Sequence, residues 1–146
     1  MNYEIVNIKE KTIVGISTKT GNSDPEMSVK ISKLWSDLYQ GGVSAKIRNR
    51  VNEYAIGLYS DYTENEYSVT AGNEVSKSEN SELITRIIPA GRYAKFSVHG
   101  SMEKAVADAW SEIWKMELDR SYTGDFEEYL NSDFENADIN IYIALK

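Results

Sequence analysis

The chain has 146 residues and no cysteine, and its 16 basic and 23 acidic side chains leave a net charge of −7. These values fit one domain of ordinary size in a reducing cytoplasm, with no disulfide framework, thiol nucleophile or thiolate metal site. The acidity argues against direct nucleic-acid binding and favours cationic ligands or basic partners, and no run approaches the roughly 18 apolar residues of a membrane span.

Tyr3, Ile5 and Ile8, then Ile13, Val14 and Ile16, predict two short strands joined by a tight turn near Glu10 and Lys11. Asp24 is a candidate N-cap, Pro25 suits the first helical position, and Met27, Ile31, Leu34 or Trp35, and Leu38 recur at helical spacing until Gly41-Gly42. Val43 to Asn52 is polar, either a short helix or a loop, and its cluster of Lys46, Arg48 and Arg50 reads as a solvated surface. Tyr54, Ile56 and Leu58 alternate, as do Tyr67, Val69 and Ala71, which predicts a hairpin around Asp61 to Glu66. Residues 76–81 are almost devoid of apolar side chains and read as a linker.

The same grammar then restarts. Leu83 to Ile88 predicts a strand, Pro89-Ala90-Gly91 a turn, and Tyr93 to Val98 a second strand ending at Gly100. Ser101 is placed to cap a helix striped by Met102, Val106, Trp110 and Ile113. The Phe126 to Tyr129 segment follows, and a last strand alternates Ile139, Ile141 and Ile143 with Asn140, Tyr142 and Ala144. Trp35-Ser36-Asp37-Leu38-Tyr39 reappears as Trp110-Ser111-Glu112-Ile113-Trp114. We read an internal duplication of a strand-strand-helix-strand-strand unit, residues 1–75 and 82–146 joined by the 76–81 linker. The expected architecture is a single α+β domain over 1–146: an eight-stranded antiparallel sheet, two helices on one face, and a groove between them suited to a small molecule.

Several stretches, in this order, resemble the gyrase-inhibitor-like (GyrI-like) effector-binding domain. They are the Trp35 to Tyr39 helix, Ile56-Gly57-Leu58-Tyr59 with Tyr67, Ala71-Gly72-Asn73-Glu74-Val75, Ile88-Pro89-Ala90-Gly91-Arg92-Tyr93, Phe96 to Gly100, and Phe126-Glu127-Glu128-Tyr129. The resemblance covers nearly the whole chain. It implies the fold of the AraC-type (Rob-like) effector-binding domains, which often follow an AraC-type or MerR-type DNA-binding region of a transcription regulator and sense lipophilic, frequently cationic drugs. Free-standing members include integron cassette proteins, and this chain is expected to be of that kind, without a DNA-binding region. The family's pocket acid lies in a Phe-Glu-x-Tyr segment, which carries the role to Glu127. The family's closing strand often ends in an Ile-Pro-Val type sequence, from which Ile143-Ala144-Leu145 departs.

Read as an extended segment, Phe126 to Tyr129 puts Glu127 and Tyr129 on one face, an acid beside a ring, which suits a cation. The expected ligand-binding set is Glu127, Tyr129, Trp35, Tyr39, Tyr59, Tyr67, Trp110 and Trp114, with Tyr39 and Trp114 at the edges of their helical stripes. His99 is the only histidine and reads as a strand-end residue, so neither a metal nor a cofactor is expected. Two other functions remain open. One is a hydrolase of strained cyclopropane-containing genotoxins, as some family members are, with Glu127 and Tyr129 as its catalytic groups. The other is a partnership with DNA gyrase or a transcription regulator through acidic surface.

Overall fold

The computed structural model describes residues 1–78 and 82–146. The first half forms β1 (Glu4–Ile8), β2 (Lys11–Thr20), α1 (Met27–Tyr39), the single-turn α2 (Val43–Lys46), β3 (Ala55–Ser60) and β4 (Tyr67–Val75). The second forms β5 (Ile84–Ile88), β6 (Gly91–Gly100), α3 (Met102–Trp114), β7 (Asp125–Tyr129) and β8 (Ala137–Ala144). All eight strands join one antiparallel sheet in the order β1-β6-β8-β7-β3-β4-β2-β5. The expected α+β architecture is therefore present.

Cross-strand partners share a face, so the register assigns the two surfaces. Phe96, Ile141, Glu127, Gly57, Ala71 and Ile16 are linked partner to partner across six strands and lie on one face. Both long helices pack there. Leu34 and Leu38 of α1 cover Val14, Val69 and Ala71, and Ala109 and Ile113 of α3 cover Ala94, Phe96, Ile139 and Ile141. Each fully buried leucine or isoleucine stabilises the fold by about 1.5–3 kcal/mol relative to exposure.

The opposite face needs a cover of its own. Ile13, Ile56, Leu58, Ile88, Tyr93 and Phe126 are buried there without a helix. The connections explain how. Only two residues separate β1 from β2 and β5 from β6, yet β1 and β2 stand first and seventh in the row, about 29 Å apart in a flat sheet. Three Cα steps reach at most about 11 Å. The sheet therefore curls until its ends approach, and the second core fills the interior of the curl.

This arrangement corrects two expectations. The links at Lys9-Glu10 and Pro89-Ala90 resemble hairpin turns, but the strands they join do not pair: β1 pairs with β6, and β5 with β2. Each half lends its first strand to the edge of the other, so the halves interlock rather than abut as two four-stranded sheets. The start of α1 also differs. Glu26 is the N-cap of α1, so Pro25 precedes the helix, and Asp24 instead accepts the Glu26 N–H at 2.9 Å. Ser101 sits at the N-cap of α3 without a side-chain cap bond, and the Met102 N–H is satisfied by the Phe134 carbonyl at 2.8 Å.

The two halves also correspond in position. α3 lies 75 positions after α1, β5 and β6 start 80 after β1 and β2, and β7 and β8 start 70 after β3 and β4. We propose on this basis that the halves descend from one unit. The linker assigned to 76–81 begins just after β4, and its last three residues lie outside the described ones.

At the β2–β4 pair, Gly15 faces Gly72. A Cβ on Gly72 would lie 2.0 Å from the Val14 carbonyl oxygen, and one on Gly15 2.0 Å from that of Ala71. Backbone fills the space, so Gly72→Ala is expected to lower unfolding stability by about 3 kcal/mol, read from the urea midpoint. A loss below roughly 0.5 kcal/mol would contradict this close approach.

Candidate ligand-binding site

The short strand β7 lies mid-sheet between β3 and β8, and its alternation decides what each face receives. Phe126 points into the curl, stacked on Tyr142 with ring centroids 4.4 Å apart. That packing fixes Asp125, Glu127 and Tyr129 on the helix face. Glu127 pairs with Gly57 of β3. A Cβ there would lie 3.0 Å from Trp35 Cζ2 and 3.1 Å from Glu127 Oε1, so the glycine makes room for both the acid and the indole.

Glu127 is 1% exposed. Tyr129 donates its hydroxyl to Oε1 at 2.7 Å, while Oε2 accepts the Tyr59 hydroxyl at 3.0 Å and Trp110 Nε1–H at 2.6 Å. Burial pushes the carboxyl above its ordinary value of 4.5, and these three hydrogen bonds pull partly the other way. All three donors are neutral. The two halves meet at this point: Tyr129 lies 70 positions after Tyr59, and Glu127 lies 70 after Gly57. Paired tyrosines thus reach inward from both halves to a single charge, because the counterpart of the acid is a glycine.

A cavity of about 730 Å³ adjoins the acid, bounded by α1, the β3–β4 hairpin, α3 and the loop leading into β7. Its aromatic wall is continuous: Tyr67 meets Tyr59 at 5.7 Å, Tyr59 meets Trp110 at 5.3 Å, and Trp110 meets Trp114 at 6.3 Å between centroids. Glu64 and Glu66 of the hairpin also line it.

The eight expected residues divide around the carboxylate. Tyr59, Tyr67, Trp110 and Trp114 line the cavity. On the Oε1 side, Tyr129 meets Trp35 at 5.2 Å, and Trp35 stacks with Tyr39 at 6.1 Å. Trp35, Tyr39, Tyr129 and Glu127 are not among the residues bounding the cavity. The groove expected midway between the helices is instead occupied beside Glu127 by the indoles, and the open volume extends toward the hairpin. Tyr39 and Trp114 are 53% and 57% exposed, as befits their stripe-edge positions.

Sequence reasoning missed a second cluster on the cavity. Asp125 is fully buried: Oδ2 receives the Tyr62 hydroxyl and Arg120 Nη2, both at 2.5 Å, and Oδ1 receives the Ala144 N–H at 2.8 Å. The Arg120 guanidinium lies 4.4 Å over the ring of Tyr122. A signal existed for Asp125, which shares a strand face with Glu127. Arg120 and Tyr122 lie on an aperiodic loop and gave none. His99, the lone histidine, lies next to the last residue of β6 in an exposed pair with Asp138 at 2.6 Å and is not among the residues bounding the cavity. Among the described residues no cluster of metal-binding side chains is found, and no helix is long and apolar enough to cross a membrane.

The model of the GyrI-like small molecule binding domain matches residues 1–146. An integron cassette protein from the mobile metagenome of Vibrio cholerae is 27% identical, with a TM-score of 0.82 covering 100% of this chain and 97% of that one. The protein SAV2435, solved bound to tetraphenylphosphonium, is 20% identical, with a TM-score of 0.84 covering 100% and 94%. A Staphylococcus aureus MU50 protein ascribed to transcription regulation is 21% identical, with a TM-score of 0.79 covering 100% and 99%. No curated protein sequence matches the chain significantly.

Proposed function

Because the chain belongs to the GyrI-like family of small-molecule-binding domains, we propose that its ligands are lipophilic cations. Glu127 supplies the counter-charge. Tyr59, Tyr67, Trp110 and Trp114 supply the surface that meets the ligand, with Trp35, Tyr39 and Tyr129 behind the acid. The observation that carries this reading is a buried carboxylate whose three hydrogen-bond donors among the described residues are all neutral, next to a cavity walled by aromatic rings. The tetraphenylphosphonium held by SAV2435 supports the ligand class.

The physical route runs through the rings. Tyr59 and Trp110 both line the cavity and donate hydrogen bonds to Glu127. Donation to an anion polarises each ring toward its electron-rich face, which strengthens cation–π attraction on the cavity side. The apolar area gives breadth of ligand shape, and the charge gives preference by sign.

Titration with tetraphenylphosphonium, followed by tryptophan fluorescence, tests the reading: saturable binding is expected, at least tenfold tighter than for the neutral triphenylphosphine oxide. Equal affinities, or no binding by either, would overturn it. The pH dependence has a definite sign. Since the folded carboxyl titrates above 4.5, cation affinity should be constant at high pH and fall as pH drops through that raised value. Linkage makes the same window visible in stability, because the folded protein holds a proton there that the unfolded chain has released. Glu127's contribution to stability therefore declines as pH rises from about 4.5 to the folded value, and is flat above it.

A hydrolytic role for Glu127 and Tyr129 is the alternative, and turnover of a cyclopropane-bearing substrate abolished by Glu127→Gln would establish it. A partnership with DNA gyrase or a transcription regulator is the other alternative, and its sign would be salt-sensitive pull-down of that protein, indifferent to Glu127→Gln. Cytoplasmic residence fits either role and the binding role alike.

A further inference from the structure

The cavity is not uniformly acidic. Among the described residues that line it, Arg120 is the only basic one, set with Tyr62 and Tyr122 on the wall formed by the loop before β7. Three observations distinguish it from a solvated surface arginine. Its side chain is 14% exposed, its Nη2 is tied to the buried Asp125, and its Nε is buried with no hydrogen-bond partner among the described residues. The ring beneath it is held at some strain, since Tyr122 has φ of 57°, in the left-handed region that bulky residues rarely occupy. The guanidinium is thus fixed from two sides, by a carboxylate and by an aromatic face.

From this geometry, and resting on the cation-binding reading, we propose that Arg120 forms an acceptor subsite and that the cavity takes amphoteric aromatic ligands. The cationic end lies toward Glu127 and the rings of Tyr59 and Trp110, and a carboxylate or comparable acceptor meets the guanidinium. Both oxygens of Asp125 are already engaged, by Tyr62 and Arg120 and by the Ala144 N–H. The acid therefore anchors Arg120 through Oδ2 while the backbone N–H of Ala144 holds Oδ1. A planar fork held this way retains donors for an acceptor and loses little freedom on binding. A volume of about 730 Å³ leaves room for a ligand that spans both ends. Without Arg120, a ligand carboxylate would meet only a cavity lined by Glu64 and Glu66 and backed by Glu127, and would be repelled.

Two xanthylium dyes provide the test, because they differ only in a free carboxylate, in rhodamine 110, or its methyl ester, in rhodamine 123. Fluorescence anisotropy at neutral pH should show the free acid binding the wild-type protein about tenfold tighter than the ester, the scale of one charge-assisted hydrogen bond. Arg120→Gln combined with Asp125→Asn removes both charges together, so no unpaired charge stays buried. In that variant the preference should invert toward the ester. If the wild-type protein binds the ester tighter than the acid, the acceptor subsite is wrong while the cation reading stands. If neither dye binds, the cation reading itself fails and takes the subsite with it. If the double variant keeps the acid preference, Arg120 is not its source. The wild-type ratio decides the matter even if the variant does not fold.

Discussion

Asp125→Ala is expected to lower unfolding stability by about 3–5 kcal/mol, a large share of the roughly 5–15 kcal/mol a domain possesses, and to depress the melting temperature by roughly 10 °C. The carboxylate is fully buried and receives a guanidinium, a tyrosine hydroxyl and a backbone N–H. Alanine would leave the Arg120 charge largely enclosed without its carboxylate, beside an Nε that has no hydrogen-bond partner among the described residues. It would also leave the Ala144 N–H unpaired in the last strand. Asp125→Asn removes the charge and turns an N–H toward one set of donors but keeps an acceptor oxygen for the other, so its loss should be smaller. Urea denaturation of the two variants against wild type measures the difference. A loss under about 1 kcal/mol for alanine would mean that the Arg120–Asp125 pair is solvated and contributes as little as a surface ion pair.

Much of the fold was legible because period-two and helical spacing report which face of an element is buried. Ile139, Ile141 and Ile143 face α3 as their alternation demands, and Leu34 and Leu38 fall on the packed side of α1. Periodicity is silent about pairing partners. Lys9-Glu10 and Pro89-Ala90 carry ordinary turn chemistry, yet each link crosses between opposite ends of the sheet. Only the three-dimensional closure, with Val6 and Ile8 packed against the interior core, makes that connection favourable. The start of α1 departs from the expected cap for a local reason. Asp24 is drawn to Thr20 and Lys30, at 2.8 and 2.7 Å, as well as to the Glu26 N–H, so its side chain organises the turn before α1 instead of its first residue.

At the site, alternation along Phe126 to Tyr129 was enough to put Glu127 and Tyr129 on one face. It could not show that Tyr59 and Trp110 would arrive from distant elements to donate to the same carboxylate, nor that the open volume would lie on the Oε2 side. Gly57 was readable as part of a family-like stretch but not as the residue that makes space for Trp35 and Glu127. Arg120 and Tyr122 depend on a loop whose conformation is set by Asp125 and the left-handed Tyr122 backbone, and neither leaves a periodic trace.

The account stands on the charge of Glu127. Glutamine has nearly the same shape and retains an oxygen for Tyr129 or for Tyr59 and Trp110, but it offers no negative charge to a ligand and turns an N–H toward one set of donors. The measurement that tests this most directly is a paired titration of wild type and Glu127→Gln with tetraphenylphosphonium and with triphenylphosphine oxide, under identical salt and pH. The predicted result is a loss of roughly thirtyfold or more for the cation, the lower range for removing one partner of a desolvated charge pair, with the neutral ligand unchanged within about threefold. Unchanged cation affinity in a variant that still binds the neutral ligand would contradict the account.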